Sequence, residues 1–391
     1  MNFNFDEIVD RSNTFATKTD AKQMNRIPEE AIPMWVADMD FRVAPVISDA
    51  VIQRAAHTIY GYSLKPESYN NAIVNWMQRR HNWTIKPNWI VSVPGVVPAL
   101  HYAVRALLKA GDKVIVQQPV YPPFMDVVRT NGYQLLNNSL RLENGQYTID
   151  FEDFEQKAQD PRTKLFILCS PHNPAGRVWS QEELMKLADI CLRHDVLILS
   201  DEIHHDLVLP GHKHIPTASL SPEISKITIT CTAPSKTFNI AGMQSANVII
   251  EDAKLRREFT LEVSKSGYHD PNPFAIVATE AGYTQGDEWL DQLIQYIDGN
   301  KKLVMDFIRE KLPMLEVIDS QATYLLWIDF SKLGLSSKEL DRFMRHDALL
   351  WLNSGYVFGE EGSTYQRMNI GCSRLVVQEA LTRLEQAIQS R

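Results

Sequence analysis

The feature that most restricts the fold is a repeated alternation of short apolar runs with amphipathic stretches of helical spacing. Trp89–Val93, Lys113–Val116, Lys164–Cys169, Val196–Ser200, Ile227–Thr230 and Ala246–Ile250 are rich in β-branched and apolar residues and too short for helices. Between and around them, Val46–Thr58, Tyr69–His81, Val97–Ala110, Phe124–Thr130 and a run ending at His194 carry apolar residues at helical spacing. Ser180 followed by Glu183 makes a capping box for the last of these. Strands apolar along their whole length are buried on both faces, and crossover helices supply that cover in a mainly parallel sheet. The expected fold class is therefore α/β. Downstream, Trp289–Leu312 reads as a helix long enough to join two domains. Tyr324–Asp329, Ser337–His346 and Leu375–Ser390 predict a smaller α+β domain. The expected division is a large domain at 46–288 and a small domain at 289–391 that also takes in 1–45 as an N-terminal arm.

Charge and cysteine usage narrow the function. Lys and Arg number 40 against 48 Asp and Glu, a net charge of −8 with no basic block, so no nucleic acid is expected. The four cysteines form no C-x-x-C pair, so neither a metal site nor a disulfide framework is expected, and Cys169 and Cys231 read as small core residues. No basic stretch followed by an apolar one opens the chain, and no apolar run reaches membrane-spanning length, so the expected location is the cytoplasm, away from membranes.

Five predicted strand ends carry unusual signals: Gly95, Tyr121, Asn173, Asp201 with His204, and Ser235 with Lys236. In a parallel sheet such ends share one edge and converge on one crevice. Their chemistry suits pyridoxal 5′-phosphate (PLP). Lys236 offers a Schiff-base amine. Asp201, after four apolar residues, would be costly to bury unpaired, and a pyridinium nitrogen is a fitting partner. Tyr121 can stack on a flat ring, Asn173 can donate to a phenolate oxygen, and His204 can reach the same oxygen. Gly95 opens a helix at Val96 and Val97, whose free N–H groups bind phosphate, and Ser235 adds a hydroxyl. No G-x-G-x-x-G or P-loop pattern follows a strand, which disfavours a dinucleotide site.

The motifs Ser170–Gly176, Ser200–His204, Ser235–Asn239 and Arg367–Arg374 resemble, in order, those of the fold-type I PLP enzymes related to aspartate aminotransferase. The resemblance spans nearly the whole chain and implies a large domain built on a seven-stranded type of sheet. It implies that Lys236 holds the cofactor, Asp201 pairs with its ring nitrogen, and Arg374 grips the substrate carboxylate together with Asn173. It also implies a homodimer in which Tyr62 reaches the neighbouring subunit's phosphate. Many aminotransferases carry a phosphate-binding arginine eight positions after the lysine, where this chain has Gln244. That glutamine, with Met34–Phe41 and Tyr60–Tyr62, is similar to the cystathionine β-lyase branch of carbon–sulfur lyases. The implied reaction is α,β-elimination on L-cystathionine or another L-cysteine S-conjugate, with Trp35, Tyr121 and Tyr324 walling the thioether. An aminotransferase is the first alternative. A regulatory binding protein is the second, because one member of the resembled family modulates a transcription activator.

Overall fold

Seven strands form the central sheet: β1 (Ile90–Val93), β2 (Lys113–Val116), β3 (Gln134–Asn137), β4 (Thr163–Cys169), β5 (Leu197–Asp201), β6 (Thr228–Thr232) and β7 (Ala246–Ile249). The computed structural model describes residues 3–391; Met1 and Asn2, at the head of the expected arm, lie outside that range. The strand order is β1-β7-β6-β5-β4-β2-β3. β3, β2, β4, β5 and β6 pair in parallel, while β7 runs antiparallel between β6 and β1. The exception has a local cause. The connection from β6 to β7 is spent on the lysine turn and contains no crossover helix, and a parallel return needs one.

Side chains alternate between two buried layers. Val114, Val116, Leu165, Ile167, Leu199 and Ile229 face one layer. Ile115, Phe166, Leu168 and Ile198 face the other. Burial on both faces is what the unbroken apolar runs required, at about 1.5–3 kcal/mol per large side chain.

The second sheet joins β8 (Glu316–Val317), β9 (Leu325–Asp329), β10 (Asn353–Ser354) and β11 (Tyr365–Asn369) in the order β8-β9-β11-β10, antiparallel throughout. Ile32–Pro33 pairs in parallel with Leu350–Trp351, so the N-terminal stretch is fastened to this later part of the chain. Several elements were not anticipated, among them the helix Phe151–Ala158. The helix Ala253–Lys265 is largely polar and shows only Leu255, Phe259 and Val263 at four-residue spacing. The segment after β3 contains a hairpin, Arg141–Glu143 with Gln146–Thr148. Among the described residues no helix is long and apolar enough to cross a membrane.

The Ser170–Gly176 turn after β4 meets the second sheet's side of the molecule closely. Gly176 has φ +66°, and a Cβ there would lie 2.6 Å from the Ala322 carbonyl oxygen. Its own carbonyl accepts from Gln321 N at 2.9 Å. Gly176→Ala is therefore expected to lower stability by about 1–3 kcal/mol, read as a reduced urea midpoint at unchanged slope.

Candidate active site

The expected convergence of strand ends is present as a single cavity of about 210 Å³. Tyr121, Asn173, Asp201, His204, Ser235 and Lys236 all line it. Gly95, Val96, Val97 and Gln244 line it as well. Gly95 precedes the helix Val96–Leu107, so the N–H groups of Val96 and Val97 sit at a helix start. Gln244 ends the lysine connection with φ +53°. Its neighbour Ser245, which sequence reasoning did not single out, also lines the cavity, and its hydroxyl lies 2.9 Å from the Tyr69 hydroxyl.

Lys236 stands on the short turn Pro234–Thr237. Its Nζ donates to the Ala37 carbonyl at 2.6 Å. Burial pulls its pKa down to about 8, against the upward pull of Asp38 and Asp201 and with a further downward push from Arg367. Asp201 is the last residue of β5; its Oδ1 accepts from Ile203 N at 3.1 Å, and its other oxygen has no donor among the described residues. Burial raises its pKa to about 7, opposed by that N–H and by Lys236. His204 is buried with Nδ1 unpartnered, and burial holds its pKa well below the usual imidazole range. Tyr121 donates its N–H to the Asn173 carbonyl at 3.1 Å, and burial raises its phenol pKa.

Arg374, expected at the substrate carboxylate, is held elsewhere. Arg374 begins the helix Arg374–Gln389, and its guanidinium lies 4.8 Å from the Tyr296 ring centroid and donates from Nε to Asn300 Oδ1 at 3.2 Å. Neither Arg374 nor Arg367 lines the cavity, but Arg367, buried on β11, reaches Asn173, which does. Its Nη1 donates to Asn173 Oδ1 at 3.0 Å and its Nη2 to the Trp35 carbonyl at 2.9 Å, while Nε is unpartnered. Burial lowers its pKa to about 10. Arg367 stands in the sequence as the first residue of the Arg367–Arg374 motif, and its burial within β11, where it needs an anionic or carbonyl partner, is what the structure adds.

Three other expected residues lie outside the cavity. The Trp35 ring stacks on Trp351 at 4.2 Å, so this residue offers the site its carbonyl rather than an apolar wall. Tyr324 approaches more closely. Its hydroxyl donates to the same Ala37 carbonyl as Lys236, at 2.7 Å, and its ring lies 6.2 Å from that of His204. Tyr62 is fully exposed, on a stretch that also exposes Ile59, Tyr60 and Leu64.

Residues 32–384 match the aminotransferase class I and II family. The chain belongs to that family. It is 45% identical over 385 residues to the cystathionine β-lyase PatB of Bacillus subtilis, covering 98% of this chain and 100% of that one. It is 31% identical to the protein MalY of Escherichia coli over 99% of both chains. Among solved structures, cystalysin from Treponema denticola, which contains a PLP cofactor, superimposes with a TM-score of 0.97 at 37% identity over the whole of both chains. The sheet and its flanking layers are thus those of a fold-type I PLP enzyme. The cavity fits that group on its own terms. It offers an amine near neutrality, a buried carboxylate with a free oxygen, an unpartnered imidazole nitrogen and a helix start.

The raised pKa of Asp201 has a consequence for cofactor-free protein. Between about pH 4 and 7 the folded state holds a proton there that the unfolded state has released, so this site destabilises progressively as pH rises through that window. Asp201→Asn should leave urea stability little changed near pH 4 and raise it above pH 7, shown by comparing midpoints at the two values.

Proposed function

We propose that this chain is a PLP-dependent carbon–sulfur β-lyase acting on L-cystathionine or related L-cysteine S-conjugates and releasing a thiol, pyruvate and ammonia. The observation that carries the reading is the cavity lined by Lys236, Asp201 and Asn173, with Arg367 hydrogen-bonded to Asn173, in a chain 45% identical to a cystathionine β-lyase. Bound there, PLP supplies an electron sink for the charge that develops at the substrate Cα.

The chain's own groups do the rest. The Arg367 fork, with Nε free and Asn173 beside it, holds the α-carboxylate. Lys236, with its amine near neutrality, removes the Cα proton as general base. Asp201 would hold the ring nitrogen and keep it protonated. Tyr121 would offer its ring to the cofactor, and Asn173 and His204 would serve its phenolic oxygen. The N–H groups of Val96 and Val97, the Ser235 hydroxyl and the Gln244 amide would hold the phosphate. The Tyr324 ring, outside the cavity but 6.2 Å from the His204 ring, would border the thioether. The exposed Ile59, Tyr60, Tyr62 and Leu64 are covered by a second copy of the chain, with Tyr62 reaching the neighbouring phosphate.

Incubated with L-cystathionine and no keto acid, the protein is expected to release thiol and pyruvate. Absence of both, with ready amino transfer once a keto acid is added, would replace the lyase by an aminotransferase. In the same assay Arg367→Lys should lose about a hundredfold or more in kcat/KM, since a lysine cannot form the fork, whereas Arg374→Lys should stay within about threefold.

A further inference from the structure

Next to the lysine turn lies a buried set of ionisable groups that the proposed reaction leaves unused. Glu202, His205, Asp206, His214 and His81 are all buried, and none lines the cavity. Glu202 is satisfied within its own surroundings by the Ser200 hydroxyl, the Thr217 N–H and His214. Asp206 is different, because its partners come from three separate parts of the chain. Its Oδ1 lies 2.7 Å from His81 Nε2 and accepts from Trp76 Nε1 at 3.0 Å, both on the helix Glu67–His81. Its Oδ2 accepts from the Thr237 hydroxyl at 2.6 Å, on the lysine turn, and lies 3.3 Å from His205 Nε2.

His81, His205 and Asp206 are close enough together to suggest a metal site. The 2.7 Å separation of His81 and Asp206 is that of a hydrogen bond. Two ligands on one tetrahedral zinc would stand about 3.3 Å apart. Trp76 and Thr237 also point their donors at the same carboxylate, where a cation would repel them. The arrangement is that of an anchored anion. Burial pushes the Asp206 pKa up, but His205, His81 and Thr237 outweigh it and hold the carboxyl well below its ordinary range. Arg80 and Tyr283 are the other titratable groups facing it.

The consequence is geometric. Lysine carries its amine on four flexible methylenes, so the approach of Nζ depends on where its turn is fixed. The turn Pro234–Thr237 is four residues long and too short to hold itself. The Thr237 hydroxyl ties it to Asp206, five residues after Asp201 on the same segment. We propose that Asp206 is a positioning residue for Lys236: through Thr237 it sets the lysine turn in register with Asp201, and Trp76 and His81 hold the carboxylate in place. This rests on the reading of Lys236 as the reacting amine.

The test uses the full chain with Thr237→Val, which removes the hydroxyl and keeps the shape, Thr237→Ser, which keeps the hydroxyl, and Asp206→Asn. Two readouts are compared: kcat and KM for thiol release from L-cystathionine, and the pH midpoint for PLP uptake by cofactor-stripped protein, which follows the free-base fraction of Lys236. Thr237→Val is expected to lower kcat about ten- to a hundredfold with KM held within about twofold. It should also displace the uptake midpoint by about half a pH unit or more, since a loosened turn exposes the amine to water. Thr237→Ser should restore both, and Thr237→Val should add no further loss in the Asp206→Asn background. Wild-type kcat and midpoint in Thr237→Val would overturn the proposal, as would equal losses in the Val and Ser variants. If Asp206→Asn does not fold, the Val and Ser pair decides alone. Wild-type protein that releases no thiol or pyruvate would instead overturn the lyase reading, and the uptake midpoints would still judge the role of Thr237.

Discussion

The region around Lys236 depends on one constraint: the backbone of Met34–Phe41 is half-buried to buried and belongs to no strand. Unpaired carbonyls in such a place are costly, and here side chains satisfy them one after another. The Trp35 carbonyl accepts from Arg367, Val36 from Asn369, and Ala37 from both Lys236 and Tyr324. The Asp38 carbonyl accepts from Asn369, and those of Met39 and Phe41 from Asn239. The donors come from β11, from the approach to β9 and from the lysine turn, so this single strap holds both sheets to the cavity. Its own charges are countered from the N-terminal side: Arg11 bridges Asp38 and Asp40, and the buried Lys18 meets Asp40 at 2.7 Å.

Closing the cavity this way removes water from three ionisable groups at once. Burial moves Asp201, Lys236 and Arg367 toward their neutral forms. They do not neutralise one another fully, which leaves an amine and a carboxyl titrating near neutral pH beside an arginine with a spare donor. A structural core avoids such an arrangement, and a site that exchanges protons with a ligand needs it. Asp206 shows the opposite solution a few residues away. Its carboxylate is saturated by donors and stays charged, as suits a fixed anchor.

Much of the site was legible because strand ends and buried polar residues are local signals. The wholly apolar runs implied a sheet covered on both faces, and Gly95, Tyr121, Asn173, Asp201 and Lys236 each followed such a run. The choice between Arg367 and Arg374 was not legible in the same way. They open and close the same motif, and only the register of β11 against β9, with Arg367 opposite Trp327, turns one toward Asn173. Arg374 instead falls on the helix that follows, where Asn300 and Tyr296 take its guanidinium and Asn300 also holds the carbonyls of Ile370 and Cys372. Trp35 illustrates the same limit, because the Trp351 ring that draws it aside lies more than three hundred residues away.

From its sequence alone this chain is determined to be an α/β protein, with its chemistry gathered at one sheet edge and a lysine and an aspartate as its centre. The period and composition of each segment carry that information, because they dictate which faces must be buried. Tertiary structure decided which arginine meets Asn173, which carbonyls receive the lysine and the tyrosine, and that a second carboxylate, Asp206, accepts from Thr237 on the lysine turn. Those outcomes depend on contacts between segments far apart in the chain, such as Thr237 with Asp206 and Lys236 with Ala37, and no local pattern encodes the distance between them.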